Sequence, residues 1–162
     1  MSGPPRRARR ARRLDWRDDR GQVAGIEVLP FGLLTFVIGT LLIVNAWGVV
    51  DAKLAVTSGA REAVRAYVEA PDEASAVDAA REAAGQAMAG HGRDPSATTV
   101  EIEHDEGRPF ARCTRVTVTV HHPVPALRLP IIGGYGHAFD VVARQSEVVD
   151  PYRSGLPGEA RC

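Results

Sequence analysis

Twenty-three consecutive residues without a charge, Val28 to Val50 (VLPFGLLTFVIGTLLIVNAWGVV), constrain this chain more than any other feature. An α-helix rises about 1.5 Å per residue, so the run covers about 35 Å against a bilayer hydrocarbon core of about 30 Å. Asp51 and Lys53 close it on the far side. Trp47 stands near that end, where an amphipathic ring suits the headgroup level. A buried helix of a soluble protein seldom reaches this length without a polar face. A cleaved signal sequence is the other alternative, with small residues around VVDA (Val49 to Ala52). Signal h-regions are shorter, about 7–15 residues. The run is therefore read as an uncleaved transmembrane anchor.

The charges outside the run orient it. Formal net charge is zero, from 20 Lys plus Arg against 20 Asp plus Glu, but residues 1–20 hold eight arginines against Asp15, Asp18 and Asp19. Positive residues stay on the cytoplasmic side, so residues 1–20 are expected as a cytoplasmic tail. Residues 51–162 are then expected outside the cell membrane. RRARRARR (residues 6–13) could meet nucleic-acid phosphates, but no aromatic is interleaved before Trp16. Beside an apolar run, orientation and affinity for anionic lipid is the simpler reading, so the lipid bilayer is the expected partner and nucleic acid is not.

From just before the run and on through it, Gly25, Gly32, Gly39 and Ala46 recur every seven residues. That spacing keeps small residues on one slowly drifting helix face, the kind that lets membrane helices pack closely. Glycine is also simply common in membrane helices. Asn45 adds a polar group able to hydrogen-bond a neighbouring helix.

The helical pattern continues past the run. In DAKLAVTSGAREAVRAYVEA (Asp51 to Ala70), Val56, Ala60, Val64 and Tyr67 form one apolar stripe, and Arg65 and Glu69 can pair on the solvated face. Gly59 is a weak point, and Pro71 ends the stretch. One long rod from about Gly25 to Ala70 is expected, with Pro30 as a site of bending. A second helix follows, capped by Asp72, with the stripe Val77, Ala80, Ala84 and Met88 and a stop at Gly90 and Gly92.

The period then changes to two. Val100 and Ile102 alternate with Glu101 and Glu103, and Val116, Val118 and Val120 alternate with Thr117 and Thr119. A third strand is expected near HAFDVVARQSEVVD, with Phe139, Val141 and Ala143 on one face. ALRLPIIGGYG is read as a long connection with an apolar patch, and residues 151–162 as an irregular, exposed, flexible tail. The expected fold class is α+β: a transmembrane helix continuing into an amphipathic one, a second helix, then a small antiparallel sheet of about three strands. Residues 21–50 form the membrane segment and 51–150 the extracytoplasmic domain.

Chemistry-bearing patterns are sparse. No GxSxG, HExxH, P-loop or GxGxxG context occurs. His121 and His122 are adjacent, so on a strand they point to opposite faces. Cys113 and Cys162 lie in no CxxC or Cys/His cluster; in an oxidising compartment they could pair within the chain or between chains. The expected catalytic, cofactor-binding and metal-ligand sets are empty, and the chain is read as non-enzymatic.

RGQVAGIEVLPFGLLTFVIGTLLIVNAWGVVDAKLAVTSGAREAVRA resembles the N-terminal signature of TadE-like proteins, minor pseudopilins of bacterial tight-adherence (Tad/Flp) pilus systems. The parts that carry the resemblance are the basic stretch, Gly21, Glu27, the early Pro30 and Ala60 to Ala66. The resemblance implies a pilin-like fold and a structural role in pilus assembly or related secretion. It implies processing by a prepilin peptidase between Gly21 and Gln22, and assembly through Glu27 and Pro30 with other pilin-like subunits and the pilus machinery. The Gly21 to Glu27 interval is six residues, one longer than the family's. An anchored extracytoplasmic binding module unrelated to pili is the alternative.

Overall fold

The computed structural model describes residues 28–129, 131–159 and 161–162. Two compact units are separated at Thr40/Leu41. The described part of the first is helical throughout, from Val28 to Thr40. The second, Leu41–Cys162, begins ten residues before the expected boundary at Asp51.

Helix α1 runs unbroken from Val28 to Glu69, with Pro30 in its first described turn. It is long and apolar enough to cross a membrane, and none of its most apolar stretch is buried. Past Asp51 its character changes. Ala52, Ala55, Val56, Gly59, Ala60, Ala63, Val64 and Tyr67 are buried along one stripe. The stripe contains all four positions expected from the periodicity. It is built mainly of small residues, so whatever packs on it comes close. A Cβ placed on Gly59 would lie 3.7 Å from the Ala84 carbonyl oxygen and from Met88 Cγ and Sδ, an ordinary packing distance. The glycine seen as a weak point is thus where the second helix crosses.

Helix α2, Glu73–Gly90, starts at Asp72, whose carboxylate accepts from the Ser75 backbone N–H at 2.9 Å. Those bonds from Ser75 hold the Asp72 carboxyl below its usual range. Ala76, Ala80, Ala84 and Met88 are its buried face, while Val77 is only partly covered. The helix closes in a Schellman arrangement: Gly92 (φ 66°) donates to Ala89 at 2.8 Å and Arg93 to Met88 at 3.0 Å. This turn aims the chain, and with it Arg93, back at α1.

Three strands form one antiparallel sheet in the order β1-β2-β5: β1 Thr99–His104, β2 Arg115–Val124 and β5 Phe139–Val148. Val116, Val118 and Val120 of the central strand are fully buried, each worth about 1.5–3 kcal/mol by transfer from water. They share the core with both helices and with Val141 and Ala143. The opposite face is polar: Arg144 pairs with Glu103 at 2.8 Å and Thr117 with Ser146 at 2.8 Å. The fold is α+β, with helices on one face of a three-stranded sheet.

Two expectations need correction. ALRLPIIGGYG is not a plain connection but a separate hairpin, β3 Leu127–Leu129 and β4 Gly133–Tyr135. Its register demands glycine at 134, because a Cβ there would lie 2.7 Å from Pro125 Cβ. The segment after β5 is irregular as expected, but it is not merely exposed. Leu156 is buried, Arg112 N–H donates to Pro157 at 2.9 Å, and Cys162 is disulfide-bonded to Cys113 with Cα atoms 5.3 Å apart. Arg153 donates to the carbonyls of Val68 and Glu69, the last residues of α1. No basic side chain lies in the last turn of α1 itself, so Arg153 supplies the positive charge that this end of the helix favours.

Replacing Arg153 by Ala should lower stability by about 1–2 kcal/mol, with Lys restoring part of it; thermal melting in detergent measures this. Reducing Cys113–Cys162 opens a loop of 49 residues separation and should cost up to about 4 kcal/mol, read from melts with and without reductant.

Candidate functional site

The polar residues that the fold gathers lie where α1 loses its apolar character. Arg93, delivered by the α2 turn, donates from Nη2 to the Gly48 carbonyl at 3.0 Å and to Asp51 Oδ2 at 2.5 Å. Its side chain is 9% exposed and that of Asp51 43%. The pair is thus half-desolvated, with the cation on the buried side. Nearby, Lys53 donates to the Val142 carbonyl of β5. One turn earlier, Asn45 is occupied within the chain rather than held for a neighbouring helix. Its Nδ2 donates to Leu41 at 2.8 Å and to Arg128 at 3.2 Å, and its Oδ1 accepts from the Arg128 N–H at 2.6 Å. Side chain and strand therefore pair in both directions, as two backbone amides would.

His122 lies behind this belt. It is 5% exposed, and its Nδ1 is 3.1 Å from Thr98 Oγ1. Burial pushes its pKa below the ordinary value, the Arg93 charge adds to that, and Asp94 opposes it. Asp94 itself is held low by hydrogen bonds from the Ser96 hydroxyl and N–H. A neutral imidazole hydrogen-bonded to the Thr98 hydroxyl is the consistent protonation state. The arrangement ties α1, the α2 turn and the sheet together.

A second polar group forms at the other end of the sheet. The Tyr67 hydroxyl is 2.8 Å from His104 Nε2, and its ring meets Phe110 edge-on at 5.3 Å. Burial, with a smaller contribution from Glu73, pushes the tyrosine pKa up to about 12. The phenol therefore stays a hydrogen-bonding group across the physiological range. The nearby cleft, about 170 Å³, is lined by Glu103, His104, Asp105, Arg115, Thr117 and Arg144. A larger open cleft of about 360 Å³ is lined by Arg81, Gly85, Pro95, Thr98, Thr99 and Val100. Among the described residues, no group of three His, Cys, Asp or Glu side chains is placed to hold a metal ion.

Of the residues singled out from the sequence, Gly21, Gln22, Gly25 and Glu27 lie outside the described residues. Pro30 lies within α1. Nothing stands within 4 Å of a Cβ built on Gly32 or Gly39, and Ala46 is exposed, so these small positions contact no other element within the described chain. Sequence reasoning missed Arg93, Arg153 and the Asn45–Arg128 pairing. The Gly-Gly pair after a short apolar alternation was the available hairpin signal; the two arginines carried none, because their partners, the Asp51 carboxylate and backbone carbonyls of α1, are distant in sequence.

The His122 shift has a pH consequence. The folded chain resists protonation that the unfolded chain accepts near its ordinary value of 6.5, so stability should fall as pH drops through that value and level off below the folded pKa. His122→Asn keeps a hydrogen-bonding partner for Thr98 without a titrating ring. The difference in melting temperature between about pH 7.5 and 5.5 should therefore shrink in the variant; an unchanged difference would exclude His122 as its source.

No family model matches this chain, and no curated protein or solved structure is similar to it.

Proposed function

We propose that this protein is a non-enzymatic, single-pass, TadE-like pseudopilin that acts in Tad/Flp pilus assembly or related secretion. The observation that carries the reading is the single 42-residue helix. Its first part is apolar and exposed, and its second part is the spine of an α+β unit with an antiparallel sheet. In this reading Val28–Val50 spans the cell membrane, residues 1–20 stay in the cytoplasm, and the α+β unit lies outside. The Cys113–Cys162 bond supports that orientation, because disulfides persist in oxidising compartments and are rare in the cytosol.

Assembly uses the anchor. Gly32, Gly39 and Ala46 leave room for a neighbouring pilin-type helix to approach. Glu27 stands at the mouth of the apolar run, where an isolated carboxylate costs up to about 2.5–3.5 kcal/mol at bilayer depth and less near the interface. Pairing with an amine or arginine of a neighbouring subunit offsets that cost and sets the register. Cleavage by a prepilin peptidase after Gly21 would place Gln22 at the mature N-terminus.

Two measurements test the reading. Glu27→Ala should reduce cross-linking to pilin-type subunits severalfold while leaving the protein in the membrane fraction. Undiminished cross-linking removes the register role, and absence of any pilin-type partner favours an anchored binding module instead. N-terminal sequencing of membrane-extracted protein made with the peptidase should begin at Gln22; an N-terminus near Lys53 would identify a cleaved signal sequence.

A further inference from the structure

The β3–β4 hairpin is an anomaly for a surface loop. Ile131 is 107% exposed and Ile132 65%, with Leu127 and Tyr135 also exposed. Ile131 and Ile132 form an apolar tip that no other described residue covers, with Leu127 and Tyr135 paired at the base of the hairpin. Ile131 also sits at φ 75°, a left-handed conformation that is unusual for any β-branched residue. Holding it there costs about 1–2 kcal/mol, which Gly or Asn would largely avoid. An apolar residue kept at a strained, fully exposed turn has no benefit for the folded unit alone.

The position of the hairpin identifies what covers the tip. The strand docks on Asn45 through the two-way pairing with Arg128, five residues before the apolar run ends at Val50. Five residues of helix are about 7.5 Å, comparable with the thickness of one interfacial layer of a bilayer. The hairpin is therefore level with the last turns of the run and not with the charged residues beyond it. Val44, Trp47 and Val50 on the same turns of α1 are exposed as well. An unpaired amide at that depth would be costly, and the Arg128 backbone satisfies it without water. The chemistry around the tip is interfacial too. Tyr135 has the amphipathic ring favoured at headgroup level, and Arg128 is an exposed cation able to reach lipid phosphate.

We propose that the β3–β4 hairpin is a second membrane contact, whose tip residues Ile131 and Ile132 enter the interfacial layer of the leaflet that receives the Asn45–Val50 end of α1. This rests on the reading of Val28–Val50 as a membrane span. Open strand edges are excluded from the hydrocarbon centre, so only the tip enters and the strands remain hydrated. The contact ties the outer unit to the membrane surface at two points, which limits its rotation about α1.

Full-length protein in phosphatidylcholine/phosphatidylglycerol vesicles, with its disulfide intact, tests this through single labelled cysteines. Ile131→Cys, Leu34→Cys and Glu82→Cys carry the same environment-sensitive fluorophore; Ile132→Cys replaces the first if it fails to fold. Nitroxide near the lipid headgroup should quench the label at 131 at least twofold, nitroxide deep in the acyl chains should quench the label at 34, and neither should quench the label at 82. Quenching at 34 without quenching at 131 overturns the hairpin contact and leaves the span standing. No quenching at 34 overturns the span and the inference with it. A label at 131 shielded from aqueous iodide but untouched by lipid-borne nitroxide means that a protein surface, a second copy included, covers the tip, and the proposal is wrong.

Discussion

The buried stripe of α1 from Ala52 to Tyr67 is the surface on which the rest of the α+β unit is laid. Its small side chains let α2 cross at Gly59 and let the valine face of β2 close the core. Tyr67, the one large residue in the stripe, fills its end and fixes its polar tip on His104. A bulky stripe would hold the second helix away and open the core to water, since interiors tolerate few voids larger than a water molecule. The same helix is apolar and exposed in its first half, so one element meets two different environments.

That change of environment falls on a belt of polar contacts. Arg93 binds Gly48 and Asp51, Lys53 binds β5, and Asn45 binds the hairpin. Each attaches a different part of the α+β unit to the same two turns of α1. The far end of α1 is held in a corresponding way by Arg153, with the disulfide fastening the segment that carries it. Helix α1 is thus gripped at both ends of its buried half.

The elements with strong period were legible from residues alone. Val56, Ala60, Val64 and Tyr67 are buried as their spacing required, and so are Val116, Val118 and Val120. The caps at Asp72 and Gly92 were legible for the same reason: their partners lie within a few residues. The hairpin was read as a connection because strands of three residues give too little alternation to register. The docking of the segment after β5 left no local signal, because its anchors Arg153 and Cys162 meet residues from 49 to 85 positions away.

The sequence by itself determined the two helices and the three strands of the main sheet, which of their faces are apolar, and that one run is long enough for a bilayer. Those properties follow from local period and composition, which act over a turn or two. The tertiary structure alone decided that Cys113 meets Cys162, that Arg93 and Arg153 close the two ends of the α1 stripe, and that an isoleucine-tipped hairpin rides beside Asn45. These contacts join single residues across long loops. Such pairing leaves no periodic trace in the chain, because its geometry exists only once the core has brought the elements together.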